Sequence, residues 1–138
     1  MSTPTTVRDT AATIGEFFTR FGGGDRPGLL ELFAPDVDFA VAGAEDVVPW
    51  AGSRSTLAAV DEFLRISLED VTTEQFDVAK ILVDGEDGVV LGAFAHRIHR
   101  TDKVFRSSFA LHVRVHNGLI VRYHMFEDSH RAELAWRD

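Results

Sequence analysis

The chain has 138 residues, 45% hydrophobic and 26% charged, the balance expected of one globular domain spanning residues 1–138 around a single core. Fourteen basic residues against twenty-two acidic ones leave a net charge of -8, which disfavours nucleic acid and anionic membrane surfaces as partners. With no cysteine, disulfides, thiolate metal sites and cysteine nucleophiles are excluded.

The opening MSTPTTVRDT lacks the basic start and apolar run of a secretory leader, and no stretch has the apolar length to span a bilayer, so a cytoplasmic protein is expected. Residues 1–4 are expected to lack order. Val7, Ala11, Ile14, Phe18 and Phe21 recur at helical spacing, with Phe17 widening the stripe, until Gly22, Gly23 and Gly24 end it. Asp25 then suits the cap of a short helix with Pro27 in its first turn. APDVDFAV alternates as a strand does, and a loop through Pro49, Trp50 and Gly52 leads to Ser55, the expected cap of a third helix carrying Leu57, Val60, Phe63, Leu64 and Leu68. From Val71 the texture turns β-branched and alternating, broken at DGEDG (84–88), RTDK (100–103) and HNGL (116–119), which implies three long hairpins. SHRAELAW closes the chain with one or two helical turns. Helices followed by a curved antiparallel sheet of four to six strands make an α+β fold.

Asn117-Gly118 between alternating runs is the mark of a two-residue type I′ turn. His116 then faces Leu119, and carrying that register along both strands sets Ser107 opposite Asp128 and His112 opposite Tyr123. Ser107, Phe109, Leu111, Val113 and Val115, with Ile120, Arg122, His124, Phe126 and Asp128 beside them, would share the inner face. Thr101-Asp102 as the preceding turn would add His96 opposite Ser107 and Phe94 opposite Phe109. Glu127 would point outward, although a slip of one residue would exchange it with Asp128.

The spacing of the helices, LFAPDVDF (32–39), VPWAGS (48–53) and a last strand reading GLIVRYHMFED resemble the nuclear transport factor 2-like superfamily over residues 5–136. The branch most similar is that of SnoaL-like polyketide cyclases and limonene epoxide hydrolases. The resemblance implies a cone: a strongly bent sheet wrapped around three N-terminal helices, a deep apolar cavity, and frequent dimers through the outer sheet face. Ketosteroid isomerases share this fold, but their base falls near Val41, their tyrosine near Phe17 and their aspartate near Leu111, so steroid isomerisation is not implied. Of the epoxide hydrolase set, Asp128 matches the water-activating aspartate, while His96 and Phe94 stand where an Asp and an Arg are needed.

The expected activity is therefore cofactor-independent acid–base chemistry of cyclase, isomerase or dehydratase type on a small apolar, polyketide-like molecule. Asp128 is the expected acid or base, with His96 or His124 assisting. Trp50, Phe17, Phe21, Phe94, Ser107, Phe109 and Phe126 are the expected substrate contacts. Two alternatives stand beside it: epoxide hydrolysis through Asp128, and a non-catalytic binding or assembly domain in which Asp128 only caps SHRAEL or pairs with Arg122 or Arg131. No metal is expected, because His96 and His99 point to opposite faces of a strand, while His112/His116 and His124/Asp128 lie about 13 Å apart along one. Arg97, Arg106, Arg114, His99 and His112, with Ala93, Ala95, Ala110, Tyr123 and Met125 among them, would form an outer face suited to a homodimer.

Overall fold

Short polar caps start the helices of the structure, a computed structural model that describes residues 7–138; the expectation for residues 1–4 lies outside them. Asp9 accepts from the Ala12 N–H and starts α1 (Thr10–Gly22), so Val7 precedes the helix and the apolar stripe begins one turn later than its periodicity suggests. Asp25 caps α2 (Arg26–Leu30) through the Gly28 N–H. Thr56, rather than Ser55, caps α3 (Leu57–Arg65), which widens into a π-helical turn over Ile66–Asp70. Among the described residues no helix is long and apolar enough to cross a membrane.

The strands are β1 (Phe33–Val41), β2 (Gly52–Arg54), β3 (Val71–Asp84), β4 (Asp87–Ile98), β5 (Lys103–His116) and β6 (Leu119–Phe126), and α4 (Ser129–Trp136) follows. They form one sheet in the order β2-β1-β6-β5-β4-β3, which makes the fold α+β. β2 falls in the stretch expected to be loop. It pairs antiparallel with β1, whereas β1 runs parallel to β6. Helices α1 and α3 seal the inner face, where Ile14, Phe17, Phe39, Leu64, Val90, Leu111 and Ile120 are each at most 5% exposed. Burying such side chains is the main favourable contribution to folding.

Asn117 (φ 51°) and Gly118 (φ 75°) adopt the left-handed conformation of the expected turn, and His116 faces Leu119. The register then breaks. Val115 faces Ile120 but Arg114 faces Arg122, so Val121 is an extra residue without a partner, a β-bulge. Beyond it Val113 faces Tyr123 and Leu111 faces Met125, and the inner and outer faces of β6 exchange relative to an unbroken hairpin. The expected pairing of Ser107 with Asp128 is thereby overturned. At the preceding turn four residues separate Ile98 from Lys103, which sets Phe94 opposite Ser107 and His96 opposite Phe105. That is a shift of two, so the faces of β4 and β5 stay as parity had them.

Tyr123, turned inward by the bulge, is 3% exposed and stacks on Phe39 with ring centroids 4.5 Å apart. Phe17, Phe33 and Phe63 pack around the same ring at 5.7 to 6.2 Å. Tyr123→Asp would set a charge where the bulge has turned an aromatic ring inward, among Phe17, Phe33, Phe39 and Phe63. The expected result is a loss of more than about 3 kcal/mol in urea denaturation, or no cooperative unfolding. An unchanged urea midpoint would mean that position 123 does not face the core.

Candidate active site

Between α1, α3 and the inner sheet face lies an apolar cavity of about 70 Å³. Phe17, Phe21, Trp50 and Phe94, all expected at the site, line it, as do Phe18, Phe63, Phe76 and Phe105. The polar groups that reach it are His96, Ser67, Tyr123 and Glu127, together with the Trp50 indole.

The bulge carries Glu127 into this wall. The Glu127 Oε2 accepts from the Trp50 indole N–H at 3.0 Å, and Oε1 has no partner among the described residues. With one neutral donor and no cation to offset its desolvation, burial pushes the Glu127 carboxyl up to about 7. Trp50 is held by its loop: Arg54 donates to the Pro49 carbonyl at 2.8 Å and to the Ala59 carbonyl at 2.9 Å, tying the loop to α3. Gly52 (φ 103°) takes a backbone turn in which a Cβ would lie 2.4 Å from the Glu45 carboxylate. The Trp50 ring stacks on Phe105 at 6.2 Å and meets Trp136 edge-on at 6.0 Å.

His96 faces the cavity from β4, its ring 4.1 Å from that of Phe94 and its Nδ1 hydrogen-bonded with the Thr73 hydroxyl at 3.1 Å. Burial lowers its pKa to about 4, so the imidazole is neutral at pH 7. The Tyr123 phenol is pushed up by burial and then by the Glu127 carboxylate, so it keeps its proton. Its hydroxyl has no hydrogen-bond partner among the described residues. The wall thus presents a carboxyl able to change charge near neutrality, a neutral imidazole and a phenolic donor.

Other expected site residues lie elsewhere. Asp128 is exposed and caps α4: its Oδ1 accepts from the Arg131 N–H at 3.0 Å and its Oδ2 lies 3.4 Å from the Arg131 guanidinium. His124 is on the outer face, bonded to Asp38 at 2.9 Å, and Phe126 beside it is 53% exposed. Ser107 is buried, but its hydroxyl accepts from the Asp128 N–H at 2.9 Å and donates to the Ser108 carbonyl, so it anchors the end of β6. Phe109 packs behind the wall against Phe76 and Phe94 at 5.2 and 5.9 Å. The cause is the same in each β6 case: one extra residue reverses the alternation. Tyr123 and Met125, placed outward by the unbroken register, line the cavity instead. The signal was in β6 itself, where Ile120 and Tyr123 are both large and apolar yet three apart, a spacing that an unbroken strand cannot bury on one face. Among the described residues no group of His, Asp and Glu is arranged to hold a metal ion.

The raised carboxyl gives a stability signature. The folded protein holds the Glu127 proton to about pH 7, whereas the carboxyl at its ordinary value of 4.5 in the unfolded chain loses it earlier, so this group's contribution falls as pH rises from 4.5 to 7. Glu127→Gln should therefore gain on the order of 2–3 kcal/mol over the parent at pH 8 relative to pH 4, read by urea denaturation at both pH values. A difference that does not change with pH would show an ordinary carboxyl.

The family model described as a SnoaL-like domain matches residues 14–123. An uncharacterised protein of Mycobacterium tuberculosis is 31% identical over 130 residues, covering 86% of this chain and 89% of that protein. Among solved structures, a nuclear transport factor 2-like protein from Burkholderia xenovorans superposes with a TM-score of 0.84 at 22% identity, over 97% of this chain and all (100%) of that one. A protein from Rhodopseudomonas palustris provisionally named an isomerase superposes at 0.79 with 18% identity, covering 87% of this chain and 92% of its own. A match over most of the chain places it in the SnoaL-like family, and its six-stranded sheet with covering helices has the fold of the nuclear transport factor 2-like structures it superposes on.

Proposed function

We propose that this chain is a cytoplasmic, cofactor-independent acid–base enzyme of isomerase, dehydratase or cyclase type in which Glu127, rather than Asp128, moves the proton. The observation that carries the reading is a carboxyl buried in an apolar cavity with a single neutral donor, which brings its pKa to about 7. A small uncharged carbonyl compound suits the remaining groups. Its oxygen would accept a hydrogen bond from Tyr123 while the Glu127 carboxylate takes a proton from the adjacent carbon, and the same carboxyl would return that proton to the enolate at the original or a conjugated position. Neutral His96 would supply a second hydrogen bond without adding charge. The same carboxylate could activate water on an epoxide, the reading first attached to Asp128.

The binding-only alternative draws support from Asp128, whose pairing with Arg131 takes it away from the cavity. The cavity is not purely apolar, however, and Glu127 keeps the enzymatic reading ahead. A homodimer through the outer face is also proposed: Leu91 and Phe126, 37% and 53% exposed, form an apolar patch beside Ala93 and Ala110. Phe126→Arg with Leu91→Arg should convert a dimer to a monomer in light scattering, and an unchanged mass would remove this interface.

Proton abstraction can be followed without knowing the substrate, as uptake of deuterium beside the carbonyl of 2-butanone in deuterium oxide. The catalysed rate should rise through pH 7 as Glu127 ionises and fall at least about a hundredfold in Glu127→Gln. Asp128→Asn, which preserves a helix cap, should stay within about twofold of the parent. Exchange that survives Glu127→Gln, or is absent while 2-butanone still binds, would leave the cavity a receptacle.

A further inference from the structure

A cavity of about 70 Å³ is small for a whole substrate, since an apolar cavity of roughly 150 Å³ is what accommodates benzene in an engineered protein. Only the reacting head of a larger molecule fits there. Beside the cavity, between the last turn of α1 and the inner face of the edge strand β3, runs an open groove of about 600 Å³. Phe18, Phe21, Ser67, Val71 and Phe76 line both spaces. The rings of Phe18 and Phe76, 5.6 Å apart, stand where the two meet.

The lining of the groove is selective. No charged side chain contributes to it, and Val78 and Ile81 keep 40% and 44% of their surface exposed along it. Gly22 leaves one wall open, with no atom within 4 Å of where a Cβ would stand.

We infer that this groove holds an uncharged aliphatic chain attached to the molecule whose polar head meets Glu127, so that the substrate class is an elongated carbonyl compound with an alkyl tail. The inference rests on the proposed reading of the cavity for the position of the head. Continuity with the cavity sets the occupant: five side chains line both spaces, so a chain leaving the head beside Phe18 and Phe76 passes into a groove with no charged lining. An anionic tail would find no cation there.

The probe is a series of unbranched methyl ketones from 2-butanone upward, with affinity measured by quenching of tryptophan fluorescence and by ligand-observed NMR. Affinity should rise about three- to fourfold per added methylene. Gly22→Leu, which adds a side chain to the groove wall at a position where a Cβ has open space, and Ile81→Glu, which places a charge along the groove, should both flatten that slope. A flat slope in the parent protein, or a slope unchanged in both variants, would overturn the inference. So would a change in mass of the variants without a change in slope, which would mean that a second copy covers the groove. Ketones that bind with the expected slope but show no deuterium exchange would sink the proposed catalysis and leave the groove intact. Exchange without chain-length dependence would do the reverse.

Discussion

An extra residue in a strand reverses the side on which every later side chain stands, and in this protein that residue is Val121. Tyr123, Met125 and Glu127 turn inward because of it, and Arg122, His124 and Phe126 turn outward. The stacked contact of Tyr123 on Phe39 joins β6 to its parallel neighbour β1, and Phe63 of α3 closes over both rings. The same alternation, continued one residue past the end of β6, brings the Glu127 carboxyl to the cavity wall. Core and candidate site therefore have one geometric cause.

The electrostatics divide along the same surface. On the outer face carboxylates have charged or ionisable partners: Asp38 with His124 and Arg122, Asp87 with His112 and Arg114. Hydrogen bonds from those histidines are the main reason the Asp38 and Asp87 carboxyls are held below their ordinary values. Exposed pairs of this kind contribute little to stability, but they keep charges ionised and solvated. On the inner face Glu127 has an indole N–H and aromatic walls, and its carboxyl moves the other way. Residue type does not separate these groups; solvent access and the charge of the nearest donor do.

Most of the architecture follows from local pattern. The cap at Asp25, the Asn117-Gly118 turn, the long hairpins and the helix over SHRAELAW depend on residues close in sequence, and so do the aromatic positions of α1 and β4 that line the cavity. What local pattern could not supply was a relation between strands. The four-residue turn before Lys103 moved the β4–β5 pairing by two and preserved every face, whereas the single residue at Val121 moved β5–β6 by one and exchanged them. β2 was missed because three residues, Gly52–Arg54, form a strand only through pairing with β1. The capping alternative for Asp128 was readable from the following Ser-His-Arg-Ala-Glu-Leu, since a carboxylate before a helix has a local use that needs no cavity.

α4 lies outside the cavity, yet both partners of the cavity's indole–carboxyl hydrogen bond lean on it. Its cap, Asp128, is the residue directly after Glu127, and its last residue, Trp136, packs edge-on against Trp50. Arg100 covers the far side of Trp136 at 4.9 Å, and Thr101 donates to the Ala135 carbonyl. An eight-residue helix thus works as an external clip: it packs on the residues at both ends of the indole–carboxyl hydrogen bond without entering the cavity. The C-terminal residues and the His99–Asp102 turn therefore support the cavity wall from outside, although none of them lines it.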